Sequence, residues 1–515
     1  MKRYLKIFFS RMTLVALAII AQLLISTTLP YILNYFHPEI FGKLYVQIDL
    51  IINILGLVML IIVINSKMLM EGKLAWAVLF LLFPLLGIVI YRMFVWSKAP
   101  KRHRKYYEQV KLQVAEINKK DAVENNELKN NLGSYYGQFE YIYRNSNLRT
   151  YANTKVDFYN SGEGFYKELL IELEKAKKYI FMEYFIIERG QMWDPILEIL
   201  KRKVKEGVDV RVMYDDLGTI HKLPYNYQKQ LKKIGIKCVK FNSFVPIMSA
   251  LHNNRDHRKI TVIDGRVGFV SGLNIADEYI NAVQLFGYWK DTGIKLQGEA
   301  VKSLLMMFLQ LYNAQTQKVE DYKTYLKDVK PVNAKGFVCP YGDGPRYFDE
   351  DLVAENVYLN MINQAQDYIW ITSPYLIIDN KLTNALCAAA KRGVDVRIVT
   401  PRVPDKKIIF WLTRSSYKTL QEAGVKIFEY SKGFVHSKQV ICDDRLAIVG
   451  TINFDYRSLL HHYECGVLMY DVDCLKDIKR DFNYMFTVSK NMKDFKQNPV
   501  ARLCCAIIKI FTPML

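Results

Sequence analysis

Two stretches of this 515-residue chain carry histidine, lysine and aspartate at one spacing. His436, Lys438 and Asp443 are followed by Gly450-Thr451-Ile452-Asn453. His257, Lys259 and Asp264 are followed by Ser271-Gly272-Leu273-Asn274. Both read H-x-K-x4-D, with an asparagine ten residues past the aspartate. The chain has only 8 histidines, so ordinary residue usage would yield about 0.1 accidental copies of such a pattern.

In an extended strand, side chains two residues apart share a face. His257 would then stand beside Lys259, and His436 beside Lys438. If the two faces meet, one pocket holds two imidazoles and two ammonium groups. That is an anion site, and a phosphodiester is the fitting anion. A neutral imidazole can attack phosphorus and divide one hard substitution into two easier ones through a phosphohistidine. The other, protonated, can donate to the leaving alkoxide and later take a proton from the incoming alcohol. Lys259 and Lys438 supply fixed charge to the non-bridging oxygens, and Asn274 and Asn453 can donate further hydrogen bonds. Ser271 and Thr451, in the same loops, are supporting candidates. No metal or cofactor is called for.

A nucleophilic histidine needs its second nitrogen held by an acceptor. Glu464, 28 residues after His436, and Asp291, 34 residues after His257, are the candidates, each expected to serve the histidine of its own lobe. Asp264 and Asp443 precede turns. They are expected to orient the lysine and its hairpin without touching phosphorus.

The elements that must position these groups form an alternating strand–helix pattern from about residue 154. It occurs twice. Tyr179-Ile180-Phe181 has its counterpart 189 residues on, in Tyr368-Ile369-Trp370. Glu206-Gly207-Val208-Asp209-Val210-Arg211 is matched by Arg392-Gly393-Val394-Asp395-Val396-Arg397. This predicts an α/β protein of two duplicated lobes, 154–330 and 331–490, each a mixed sheet flanked by helices and each carrying one H-x-K frame. Residues 98–153 read as a charged, solvated connector. Residues 491–515 read as a membrane-proximal segment with a short amphipathic helix.

Residues 1–97 are strongly apolar and predict two or three transmembrane helices, at about 10–33, 44–64 and 74–96, with Trp76, Tyr91 and Trp96 as interface anchors. The expected location is therefore the cell membrane, multi-pass, with the lobes at its surface. The 8 cysteines have no disulfide or metal spacing and favour the cytoplasmic side. The net charge of +20 suits anionic lipid headgroups. It would suit nucleic acid equally, but apolar segments beside the catalytic lobes argue against a nuclease.

The two H-x-K-x4-D frames resemble the mark of the phospholipase D superfamily. The chain is most similar to its bacterial cardiolipin synthase branch. Gly272-Leu273-Asn274-Ile275, Ser373-Pro374-Tyr375 and Asp455-Tyr456-Arg457-Ser458 carry that likeness, together with Lys73-Leu74-Ala75-Trp76, Pro84 and Gly87. The resemblance implies transfer of a phosphatidyl group between two phosphatidylglycerol molecules, giving cardiolipin and glycerol. It maps the catalytic sets onto His257, Lys259, Asp264 and His436, Lys438, Asp443, with the first histidine as nucleophile. A hydrolase, or another phosphatidyltransferase such as a phosphatidylserine synthase, is the alternative. Gly293 departs from the pattern, standing where relatives often carry histidine.

Overall fold

The computed structural model describes residues 31, 35, 38–95, 101–119, 122–243, 254–345 and 351–512. Two compact units are present. One contains helices Pro38–Ile64, Met70–Leu82 and Pro84–Phe94; the other contains the two large β-sheets.

The first sheet is built from β1 (Thr154–Tyr159), β2 (Tyr179–Tyr184), β3 (Asp209–Asp215), β4 (Lys237–Phe241), β5 (Lys259–Ile263), β6 (Val267–Ser271) and β8 (Gly293–Gly298). A short β7 (Tyr288–Lys290) lies outside it. The second sheet uses β9 (Phe337–Asp343), β10 (Tyr368–Thr372), β12 (Asp395–Pro401), β13 (Lys426–Tyr430), β15 (Gln439–Cys442), β16 (Leu446–Gly450), β18 (Glu464–Tyr470) and β19 (Ser489–Asn491). Between these run the short β11 (Leu376–Ile377), β14 (Gly433–Val435) and β17 (Phe454–Asp455).

The strand orders are β4-β3-β2-β5-β6-β8-β1 and β13-β12-β10-β15-β16-β18-β9, with β19 added at one edge of the second. In each sheet two pairings are parallel (β2–β3 and β3–β4; β10–β12 and β12–β13) and the corresponding remaining pairings are antiparallel. The duplication seen in the sequence is thus a duplication of topology.

Every residue of β2, β5, β6, β10, β15 and β16 is buried, which explains why these strands are largely apolar on both faces. Helix Val301–Thr316 is buried on nearly all sides, with Leu304, Leu305, Met306, Phe308 and Leu309 at no more than 1% exposure. A helix apolar all round belongs in a core, and this one shares a core with β5 and β6 of one sheet and β16 and β18 of the other.

Two expectations change here. Residues 98–153 are not a solvated connector. Helices Lys101–Ile117 and Tyr136–Ser146 bury Tyr107, Val110 and Val114, and Phe139 and Ile142, in the cores of the unit that contains the two large sheets. Their spacing of three and four is that of a helix face.

The multi-pass membrane location is also overturned: among the described residues, no helix is long and apolar enough to cross a membrane. The 10–33 segment lies almost wholly outside the described residues. In helix Pro38–Ile64, Glu39, Lys43, Gln47, Asp49 and Asn53 interrupt the first half, leaving an apolar run from Ile54 to Ile64. The 74–96 segment is broken before Pro84 into helices of 13 and 11 residues. At 1.5 Å per residue these reach about 20 and 17 Å, short of the ~30 Å hydrocarbon core. Trp76 and Tyr91 are not interface anchors. They are buried against each other and Phe80, with ring centroids 4.9 Å apart for the Trp–Tyr pair. Trp96 lies outside the described residues.

Candidate active site

The two frames start matched strands. Lys259 opens β5, and Lys438 immediately precedes β15. Each strand lies between the central strand of its sheet (β2 or β10) and a hairpin partner (β6 or β16). Asp264 and Asp443 stand at the far ends of these strands, roughly 16 Å along the chain from the lysines. Both take positive φ, 55° and 51°. Asp264 accepts the backbone N–H groups of Lys177, Lys178 and Tyr179 at 2.7–2.8 Å. Asp443 accepts those of Gln366, Asp367 and Tyr368 at 2.7–2.9 Å. The aspartates therefore fix the entry of the central strands and do not face the imidazoles.

The carboxylates that hold the histidines come from the opposite lobes. Glu464, the first residue of β18, meets His257 Nδ1 with both oxygens, at 2.9 and 3.1 Å. Asp291 Oδ2 lies 2.6 Å from His436 Nδ1. This exchanges the within-lobe pairing expected from the sequence. Cross-lobe backbone bonds explain it. His257 N donates to Tyr463 O at 2.9 Å, next to Glu464, and His436 N donates to Lys290 O at 2.7 Å, next to Asp291. Strand β7 pairs in parallel with β14, which leads into His436. Each histidine is thus delivered to the other lobe's acid by main-chain register.

Both acids are completely buried, while the side chains of His257 and His436 keep 10% and 8% exposure. With Nδ1 turned to a carboxylate, each ring has Nε2 left for chemistry. Burial and the ammonium groups of Lys259 and Lys438 push His257 well below its ordinary range. Burial and Lys438 bring His436 down to about 4. Burial also lowers Lys259 to about 8 and Lys438 to about 7. Lys259 donates to the carbonyl of His257 at 2.7 Å, and Lys438 to that of His436. Lys438 Nζ is also 2.7 Å from His436 Nδ1.

The supporting residues divide. Thr451 donates its hydroxyl to Glu464 Oε2, so it braces the acid. Its counterpart in the other frame is Gly272, where a Cβ would stand 2.1 Å from Asp291 Oδ1; only the absent side chain leaves room for that carboxylate. Asn274 is engaged at both ends, accepting from Ile186 N at 3.0 Å and donating to Tyr279 at 2.6 Å. Asn453 is buried with no hydrogen-bond partner for Oδ1. Ser271 is buried, its hydroxyl 3.5 Å from Leu273 O.

Sequence reasoning missed the rings around the histidines. Trp289, Tyr279 and Phe434 surround His436 at 5.2–5.8 Å between centroids. Phe185 and His462 flank His257 at 5.2 and 5.4 Å. Trp289 and His462 each stand two residues before an acid, a repeated offset that would have revealed them.

Among the described residues, His257, His462 and Glu464 bring metal-ligating atoms within 4.8 Å of one another. The lysines that depress His257 would repel a cation there, and the same charges attract a phosphate.

Two equal lobes, each lending a carboxylate to the other's H-x-K histidine, place the chain in the phospholipase D class. Residues 169–284 and 358–486 match the family described as cardiolipin synthase, phospholipase D-like domain. A cardiolipin synthase of Alkalihalophilus pseudofirmus is 35% identical over 86% of this chain and 88% of its own. One from a Geobacillus species is 39% identical over 70% and 72%. An uncharacterised Streptococcus mutans protein is 42% identical over 88% and 98%. The chain belongs to the cardiolipin synthase family. Among solved structures, a phosphatidylserine synthase of Haemophilus influenzae shares the fold, with a TM-score of 0.55 at 18% identity over 73% of this chain and 97% of its own.

Proposed function

We propose that this protein is a cardiolipin synthase, transferring a phosphatidyl group from one phosphatidylglycerol to another and releasing glycerol. The observation that carries the reading is the crossed pair of His–carboxylate contacts, which leaves two Nε2 atoms and two ammonium groups for one phosphodiester. Membership of the cardiolipin synthase family supports a phospholipid as the substrate.

His257 is the nucleophile. Glu464 fixes its Nδ1–H tautomer with two oxygens, which leaves the Nε2 lone pair free to attack phosphorus. Its depressed basicity keeps it unprotonated at neutral pH. His436 supplies a proton to the departing glycerol oxygen and later takes one from the incoming hydroxyl. The arriving phosphate diester is negative, and it favours protonation of Lys259, Lys438 and His436 by direct attraction. The lysines then leave their carbonyls for the non-bridging oxygens, where charge builds in the transition state.

Purified protein in phosphatidylglycerol vesicles, without nucleotide, should yield cardiolipin and glycerol in equal amounts. Phosphatidic acid as the main product would replace transfer by hydrolysis. No turnover would end the enzymatic reading.

A further inference from the structure

His462 occupies in one half of the site the place that Trp289 occupies in the other. An indole offers a donor alone; a neutral imidazole offers a donor and an acceptor. The main chain holds His462 firmly. Its N–H and that of His461 both donate to Arg457 O at 3.0 Å, and Tyr463 N donates to Arg255 O at 2.8 Å. A parallel bridge between Asp256 and Tyr463 then sets the ring beside His257.

The ring is oriented as well. Nδ1 is buried without a hydrogen-bond partner and lies 3.6 Å from Glu464 Oε1, the oxygen that His257 holds at 2.9 Å. The side chain keeps 11% exposure while Nδ1 is buried, which leaves Nε2 as the ring nitrogen not committed to Glu464. Burial holds the ring neutral, lowering it to about 3. With its N–H toward Glu464, this imidazole presents a lone pair at the site. Lys259 and Lys438 offer only donors, which suit phosphate oxygens. A lone pair suits a hydroxyl.

We propose that His462 determines acceptor specificity: its Nε2 binds one hydroxyl of the incoming polyol and holds the molecule beside His257, so that an alcohol outcompetes water. The proposal rests on the transfer reaction above. In that step the acceptor oxygen bonds to phosphorus, and the bond from phosphorus to His257 Nε2 breaks with its electron pair returning to the ring. The acceptor proton passes to His436. His462 binds the neighbouring hydroxyl of the same polyol and takes no proton.

The test compares wild type with His462→Gln, His462→Asn and His462→Phe in phosphatidylglycerol vesicles, measuring cardiolipin against phosphatidic acid. Glutamine can place an acceptor near the Nε2 position, whereas asparagine reaches only the Nδ1 position. The Asn and Phe variants should lose roughly tenfold in the cardiolipin-to-phosphatidic acid ratio, the worth of one hydrogen bond. The Gln variant should stay within a few-fold of wild type. Added ethanol, which has no second hydroxyl, should be used equally well by all four proteins. If Phe disturbs folding, the Asn and Gln pair decides. An unchanged product ratio in His462→Asn overturns the proposal, as does an equal loss of both products in the Asn and Gln variants, which would make His462 a support for Glu464. Wild-type protein that forms phosphatidic acid alone would instead overturn the transfer reaction itself.

Discussion

The His257 half of the site is mostly polar, with Phe185 as its one phenyl neighbour, whereas three aromatic rings surround His436. Glu464 meets His257 with two oxygens and is itself held by Thr451, with His462 close by. Asp291 meets His436 through one oxygen, with Trp289, Tyr279 and Phe434 around the ring and Lys438 against the same nitrogen. Duplication supplied equal scaffolds, down to the order of seven strands. The proposed reaction needs unequal partners, one imidazole as nucleophile and one as acid and base. The inequality resides in the side chains that back each histidine, while the frames themselves stay matched.

The largest test of that division is removal of each ring. His257→Ala and His436→Ala should each lower cardiolipin formation by at least roughly a thousandfold, as loss of one member of a concerted catalytic group does. They should differ in the intermediate. With labelled phosphatidylglycerol and acid quench, His436→Ala retains a slow route to phosphohistidine at His257, whereas His257→Ala forms none. Label retained on His257→Ala would reverse the roles of the two halves.

Next come the crossed acids. Glu464→Gln should impair His257, and Asp291→Asn should impair His436, each by about a hundredfold or more, because the tautomer is no longer held. Imidazole nitrogen NMR resolves this. Of the two H-x-K histidines, the one whose Nδ1 signal moves on Glu464→Gln should be His257, although Glu464 is nearer in sequence to His436. Gly272→Ala should resemble Asp291→Asn, since its methyl group would occupy the carboxylate's place. Thr451→Val should cost about tenfold in kcat, the worth of one hydrogen bond to a charged group.

The crossing also marks where the sequence stops being informative. The H-x-K frames and the repeated strands were legible because their spacing is local. Each lobe has its own pattern of alternation and turns, and Asp264 and Asp443 could be read as turn formers from Gly265 and Asp444 after them. Which acid meets which histidine depends on how β7 pairs with β14 and how Tyr463 lies beside Asp256. Nothing within one lobe's sequence expresses that docking, so proximity along the chain pointed to the wrong partner. Tyr107, Val110 and Val114 were hidden by charged neighbours, although their helical spacing was present. In the apolar N-terminal region, hydropathy outweighed Pro84, which divides one apolar stretch into two short helices.

The smallest expected effect lies in the pH profile. It separates the two lysines. In the free enzyme both are depressed by burial, Lys438 to about 7 and Lys259 to about 8. A lysine with a lowered value is charged below it and loses its charge as pH rises through it. Attraction for the phosphodiester is therefore full on the acid side and declines through this window, so kcat/KM should fall with an alkaline limb that begins near pH 7. Lys438→Arg keeps its charge across the range. It should move the start of that limb upward by about one pH unit, to where Lys259 titrates, while altering the plateau only a few-fold. Lys259→Arg should leave the start of the limb where it is, because Lys438 still titrates first. Equal displacement by both substitutions would show that the lysines act as one coupled pair, and the asymmetry would then belong to the histidines and their carboxylates alone.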